Sequence, residues 1–219
     1  MAESSASRMP SSDSPFGDHA ESFALVISGP SGVGKTSICK SVIEKDIRVR
    51  PIVTTTTRRI RDGEMDGVDY HFVPDSEFDS LLASESLLEH AVVHGFRYGA
   101  TKAAFEQALD LADVVLLEVD VQGAKAWQEA LGARCITLFI LPPSLDELGE
   151  RLAGRKSEGE ASLKARTRNA RAEMAFAGSY DYVIVNHELE QAIDDVQSVI
   201  VAERSRPSRQ RAFLNSLGT

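Results

Sequence analysis

The chain has 219 residues, a formal charge of −9, and 42% hydrophobic and 26% charged residues. That length suits one compact domain rather than two, and the acidic balance excludes a protein that tracks nucleic-acid backbones through net positive charge. No apolar run approaches the roughly 18 residues that span a bilayer, so neither a nucleic-acid nor a membrane partner is expected.

The chain opens with "MAESSASRMPSSDSPFGDHAES", which is rich in serine, holds two prolines and lacks Leu, Ile and Val. It has too little apolar surface to offset the entropy of ordering, so residues 1–21 are expected to form a disordered tail. The segment lacks the apolar stretch of a secretory signal, and its acidic residues count against a mitochondrial address, which leaves the cytoplasm as the expected location. Cys39 and Cys135 are too few and too isolated for a disulfide framework or a zinc site. They read as small core residues in a reducing compartment.

From residue 22 onward, short apolar runs alternate with helical spacing, the pattern of an α/β domain with a largely parallel sheet. "FALVIS" from Phe23 predicts a buried strand, and Lys35 to Lys45 predicts the helix after it. Further strands are expected at "DVVLLEVD" from Asp113, "RCITLFIL" from Arg134 and "YDYVIVN" from Tyr180, the last of the set. Helices are expected over Gln122–Leu131 and Ser144–Leu152, the second opened by Ser144 as N-cap with acidic residues in its first turn. The stretch from Pro51 to Thr101 differs. It holds "PIVTTTT", "YHFVP", "LLEHAVV" and "FRYGA" with a helix-like run near Ser76–Leu82, and it predicts an insertion with a small, mostly antiparallel sheet. The C-terminal "AERSRPSRQRAFLNSLGT" reads as a helix extension with a frayed tail, with contact to a neighbouring subunit as the alternative.

Between the first strand and helix lies "GPSGVGKT", Gly29 to Thr36, which fits G-x-x-x-x-G-K-[ST] in the required strand–loop–helix context. Glycines let successive backbone N–H groups and the helix N-terminus wrap an anion. Lys35 can then reach the outer phosphates of a nucleoside triphosphate and Thr36 can ligate magnesium. The guanine-reading N-K-x-D element of a switch GTPase does not occur. Downstream, Arg58 and Arg61 lie three residues apart ahead of a Gly-flanked turn and Tyr70, and Glu89 and Tyr98 follow on β-like segments. Arginine forks and tyrosine hydroxyls suit phosphate. Singly, these residues also read as solvated charges, an exposed carboxylate and a core tyrosine.

Taken together, the chain resembles the guanylate kinase family from Phe23 to about Arg204. The resemblance rests on "GPSGVGKT", "TTTTRRIRDGEMDGVDYHFV", "FRYGAT", "LLEVDVQGAK", "FILPPS", "RLAGR" and "YDYVIVN" in the family's order. It implies a P-loop nucleoside monophosphate kinase fold, a parallel sheet core flanked by helices, with a small mixed α+β GMP-binding insertion and a helical lid. Residues 22–204 would then divide into a core (22–52, 101–150 and 173–204), a GMP-binding insertion (53–100) and a lid (151–172), followed by a C-terminal tail (205–219). The implied reaction moves the γ-phosphoryl of ATP to GMP, and also dGMP, giving ADP and GDP with Mg2+ as cofactor, in a monomer or homodimer.

By the same resemblance, Gly29, Pro30, Ser31, Gly32, Val33, Gly34, Lys35, Thr36 and Ser37 hold ATP, with Asn186 bordering its adenine. Arg58, Arg61, Tyr70 and Tyr98 bind the phosphate of GMP, and Thr54, Glu89 and Asp120 face its guanine. Guanine presents N1–H and an exocyclic amine as adjacent donors, so a carboxylate accepts from both, whereas adenine offers an acceptor there and leaves the carboxylate unpaired. Three positions depart from the pattern. Thr54 stands where serine is frequent, Lys156 where glycine is usual, and Ala100 where a hydroxyl helps read the base, a bond either lost or passed to Thr101.

Arg151 to Arg171 carries seven Lys/Arg against two Glu, with Gly154 and Gly159 as breaks, and so reads as a mobile basic segment between helices. The resemblance makes it the ATP lid, with Arg155 and Arg166 reaching the transferring phosphoryl group and Arg151 as a further ATP contact. Lys35, Arg58, Arg155 and Arg166 are the candidates for stabilising transition-state charge. Glu118, at a strand end, either holds a magnesium-bound water or is a satisfied carboxylate. His71, His90, His94 and His187 show no metal-ligand spacing. Two rivals stand beside this reading. One is a noncatalytic module that binds phosphopeptides at the arginine site, against which Lys35, Thr36 and the lid arginines count. The other is a sugar-phosphate kinase of the same fold, against which Glu89 and Asp120 count.

Overall fold

The computed structural model describes residues 22–93, 95–153 and 168–218. The expected tail, 1–21, lies outside them. Strand β1 (Phe23–Ser28) is buried along its whole length, which follows from its apolar side chains pointing alternately to both faces of the sheet. Phe23, Leu25 and Ile27 pack against Ile38 and Val42 of helix α1 (Lys35–Lys45) and Ile193, Val196 and Ile200 of a later helix. Ala24 and Val26 face the other way, toward Phe105, Ala124 and Trp127. Each large aliphatic or aromatic side chain buried there contributes about 1.5–3 kcal/mol.

β1 is the middle strand of a parallel five-stranded sheet of order β2-β7-β1-β8-β9. The flanking strands are β2 (Val49–Pro51), β7 (Val114–Glu118), β8 (Cys135–Leu141) and β9 (Tyr182–Val185). The chain runs from β1 out to β2 on one side, returns at β7, and then builds β8 and β9 on the other. The C-terminal end of β1 therefore sits where the strand order reverses, the place at which such sheets open a crevice for ligands.

A second sheet of order β4-β3-β6-β5 is formed by β3 (Thr55–Thr56), β4 (His71–Phe72), β5 (Leu87–Val93) and β6 (Phe96–Thr101), with α2 (Asp75–Ala83) inserted. Its β3–β6 and β5–β6 pairs are antiparallel and β3–β4 is parallel. The expected small sheet is thus present, with one correction. Pro51 belongs to the main sheet, opposite Leu116 at its edge, where proline's missing N–H is tolerated.

Helices α3 (Lys102–Leu111) and α4 (Val121–Leu131) cover one face of the main sheet. Ser144 caps α5 (Leu145–Ala153), its hydroxyl accepting from the Glu147 N–H at 3.1 Å. Residues 168–174 form α6. Helix α7 (Leu189–Arg204) packs beside α1. Both cysteines are buried free thiols, and burial pushes each thiol up, Cys135 to about 12.

The C-terminal stretch departs from the frayed tail expected of it. Pro207 ends the run of α7 and starts a turn of 3-10 helix (Pro207–Arg209), and α8 (Arg211–Ser216) follows. Glu203 is fully buried and accepts from the Tyr182 hydroxyl at 2.6 Å. Arg206 at 2.7 Å and Arg209 at 3.5 Å supply its counter-charges. The Arg209 guanidinium lies 4.3 Å from the centre of the Phe23 ring, so residues past α7 are tied to the start of β1.

Candidate functional site

The loop after β1 takes its shape from glycine. Gly29 has φ 147°, and a side chain there would run into the carbonyl oxygen of Ile140. Gly34, the residue before α1, has φ 102°, and a Cβ would lie 2.7 Å from Asn186 Nδ2. That amide donates to the Val33 carbonyl at 2.7 Å and pins the loop to the end of β9. Asn186, expected at the adenine, is buried behind the loop as its clamp. Arg151 donates to the Asn186 carbonyl at 3.2 Å, so the structure brings these two expected ATP residues together.

Lys35 Nζ donates to the carbonyls of Gly29 at 2.6 Å and Pro30 at 3.3 Å. Burial lowers its pKa, opposed by the charges of Glu118, Glu173 and Asp120. Gly32 also has positive φ, and Ser37 is exposed in the first turn of α1. The Thr36 hydroxyl donates to Glu118 Oε1 at 3.0 Å, so the two expected metal residues meet at the mouth of the loop. Among the described residues, no group of three or more His, Cys, Asp or Glu side chains is arranged to hold a metal ion. Two hard oxygen donors side by side nevertheless fit magnesium, which commonly takes one or two protein oxygens and completes its shell with water and phosphate.

A cleft of about 650 Å3 opens in front of this loop, within the range of nucleotide-sized sites. Gly29, Ser31, Lys35 and Thr36 line one wall, and Thr54, Tyr70, Glu89, Tyr98 and Gly99 line the wall made by the second sheet. Burial and then the charge of Asp120 push the Glu89 carboxyl up to about 7. Asp120 is the N-cap of α4, with Oδ1 accepting from Gln122 N–H at 3.0 Å and Gly123 N–H at 2.8 Å. It lines the cleft as well, and its second oxygen accepts no hydrogen bond among the described residues.

Arg58 is buried and paired in bidentate fashion with Glu64, Nη2 to Oε1 at 2.7 Å and Nη1 to Oε2 at 3.0 Å. Its guanidinium lies 5.4 Å from the Tyr70 ring centre and 5.5 Å from that of Phe72. Tyr70 and Tyr98 meet edge to face at 5.8 Å. Arg61 is exposed, and its backbone N–H donates to Glu64. Arg58 and Arg61 therefore adjoin the tyrosine wall without lining the cleft itself.

Other expectations fared differently. Thr101 is the N-cap of α3, its hydroxyl accepting from Ala104 N–H at 3.0 Å, and it does not line the cleft. Ala100 is fully buried in the core beside the sheet. Arg155, Arg166 and Lys156 lie outside the described residues. Two residues escaped the sequence reading. Glu173 of α6 lines the cleft and senses both Lys35 and Asp120, with its carboxyl pushed up by burial. Glu64 sits in "RRIRDGE", only six residues from its partner, and an arginine–glutamate pair flanking a turn was the available signal.

A P-loop closing the middle strand of a parallel sheet, faced across a cleft by a second small sheet, is the architecture of P-loop nucleoside monophosphate kinases. A crystal structure of guanylate kinase from Anaplasma phagocytophilum superposes with a TM-score of 0.68 at 32% identity, covering 90% of this chain and 95% of that one. A curated guanylate kinase of Rhizobium johnstonii is 40% identical over 206 residues, 94% of each chain. One from Clostridium perfringens is 42% identical over 191 residues, 87% of this chain and 88% of that one. The family model described as guanylate kinase matches residues 22–203, and the chain belongs to that family.

Proposed function

We propose that this protein is an ATP:GMP phosphotransferase, which moves the γ-phosphoryl of ATP to GMP, and to dGMP, and releases ADP and GDP. The observation that carries the reading is a single cleft lined on one wall by Lys35 and Thr36 and on the other by Glu89, Tyr70 and Tyr98. The backbone N–H groups of Gly32 and of Gly34 to Ser37 take the donor's phosphates, with Arg151 and Asn186 holding the loop's rear. Lys35 exchanges the carbonyls of Gly29 and Pro30 for phosphate oxygens, trading one set of hydrogen bonds for a charge-assisted set.

On the acceptor side, Glu89 and the second oxygen of Asp120 accept from the N1–H and amine of guanine, with Thr54 beside them. Tyr70, Tyr98, Arg58 and Arg61 take the phosphate. Because that phosphate is already an anion, with a second pKa of about 6, the transfer requires no side-chain base. Alignment, charge stabilisation and exclusion of water carry the rate. Arg155 and Arg166 of the lid join Lys35 and Arg58 at the transferring group.

Thr36 and Glu118 would hold magnesium, which supplies charge neutralisation across the donor's phosphate oxygens. The enzyme is read as cytoplasmic, as a monomer or homodimer. No helix among the described residues is long and apolar enough to cross a membrane. A coupled assay of ADP formation with GMP, AMP, UMP and a sugar phosphate tests the reading. Turnover with GMP far above the others is expected. Preference for the sugar phosphate, or binding of GMP without ADP formation, would refute it.

A further inference from the structure

Arg58 cannot offer its whole fork to a phosphate, because Glu64 already fills it. Oε1 accepts from Nη2 at 2.7 Å, Oε2 accepts from Nη1 at 3.0 Å, and Nη1 also donates to the Arg59 carbonyl at 2.8 Å. Glu64 Oε2 takes a further bond from the Arg61 N–H at 2.8 Å, so one carboxylate ties the side chain of the first arginine to the backbone of the second. The turn is closed by the Glu64 N–H donating to the Arg61 carbonyl at 3.1 Å, with Gly63 at φ 87°. Arg58 beside it holds the Glu64 carboxyl below the usual carboxylate range, which keeps the pair ionised at neutral pH. The guanidinium also interacts with the Tyr98 hydroxyl, and the rings of Tyr70 and Phe72 flank it.

We propose that Glu64 is a positioning residue for the acceptor's phosphate: it stays paired with Arg58 when nucleotide binds and holds the guanidinium beside Tyr98 toward the phosphate. This rests on the reading of Arg58 as a phosphate ligand. If phosphate displaced Glu64, the Glu64 carboxylate would lose its counter-charge and the Arg61 N–H its acceptor, which is unfavourable. Retaining it fixes the angle of a group that the flanking rings alone do not orient. The cost is a negative charge near a phosphate dianion.

That cost makes the test one of sign. Charge repulsion alone predicts that Glu64→Gln tightens GMP, whereas positioning predicts that it loosens GMP. The measurements are KM for GMP, KM for ATP, kcat, and calorimetric binding of GMP against guanosine, for the wild type, Glu64→Gln, Glu64→Asp and Arg58→Ala. For Glu64→Gln, a rise in GMP KM of about tenfold is expected, the size of one lost charge-assisted bond, with guanosine binding and ATP KM unchanged. Glu64→Asp keeps the charge and is expected to recover part of the loss. If Glu64→Gln does not fold, Glu64→Asp carries the test through a smaller rise in GMP KM. An unchanged or lowered GMP KM overturns the proposal. If Arg58→Ala weakens GMP while the Glu64 variants do not, the positioning role alone fails. If Arg58→Ala leaves GMP binding intact, the reading of Arg58 itself fails.

Discussion

Glu89 offers the sharpest handle on base recognition. In the empty cleft its carboxyl is pushed up to about 7 by burial and by Asp120. Glu118 and Glu173 add acidic neighbours within the same cleft, and Lys35 is the cation among its lining residues. A rise from 4.5 to about 7 means that holding the empty site ionised costs about 3 kcal/mol, at about 1.4 kcal/mol per pH unit. Since the folded value lies above the ordinary one, protonation favours the folded, empty protein as pH falls from about 7 toward 4.5, and this contribution is absent above about 7. Guanine needs the carboxylate, so the sign for binding is opposite. Guanosine affinity is expected to fall as pH drops through about 7, approaching tenfold per unit, and guanosine avoids the titration of the GMP phosphate near about 6.

Glu89→Gln keeps the size of the side chain but turns an acceptor pair into one acceptor and one donor. Losing charge-assisted bonds of about 1.5–3 kcal/mol each predicts a fall in kcat/KM for GMP on the order of 100-fold. KM for ATP is expected to hold, and the pH step in guanosine binding is expected to vanish. Steady-state ADP formation at saturating ATP and calorimetry with guanosine read both effects. An unchanged kcat/KM for GMP, or a pH step that survives the substitution, would refute the reasoning.

Three other substitutions address the remaining parts. Gly34→Ala puts a Cβ on a left-handed residue and 2.7 Å from Asn186 Nδ2. A loss of about 1–2 kcal/mol is expected from the backbone alone, read as a lower Tm together with a raised KM for ATP; an unchanged ATP KM would detach the loop from nucleotide binding. Arg166→Ala is expected to lower kcat on the order of 100-fold with little change in KM for GMP, and intact turnover would end the lid account. Ending the chain at Arg204 removes Arg206 and Arg209 and leaves Glu203 buried with Tyr182. That is expected to cost about 3 kcal/mol and lower Tm by roughly 6–12 °C; a Tm within a degree of the full chain would contradict the role given to the C-terminal segment.

The parts legible in the sequence are those whose physics is local. A strand apolar from Phe23 to Ile27, a glycine loop and a helix that must begin at Lys35 define β1 and α1 without reference to the rest of the fold. Strand β2 was not legible, because only Val49 of its three residues is buried and its strand character comes from pairing with β7. Helices α3 and α7 carry helical apolar spacing at Phe105, Ala108 and Leu109 and at Ile193, Val196 and Ile200, yet acidic neighbours such as Asp194 and Asp195 obscure it. Asp120 was placed at the cleft by resemblance, but its work as the α4 cap appears only once the helix start is seen. Glu173 meets Lys35 only through tertiary folding, since α6 and the P-loop lie more than a hundred residues apart. The C-terminal stretch reads as a helix extension with a frayed tail because nothing in it reveals that Glu203 is buried and partnered across to Tyr182.

The central claim is that one cleft carries a phosphoryl group from a P-loop donor to a guanine nucleotide. A single-turnover reaction of ATP labelled at its γ-phosphoryl with GMP and magnesium tests it directly. The account predicts label in the β-phosphoryl of GDP, formed at the rate at which ADP appears. Label released as inorganic phosphate at that rate, or label passed to AMP to give ADP in preference to GMP when both are present, would contradict it.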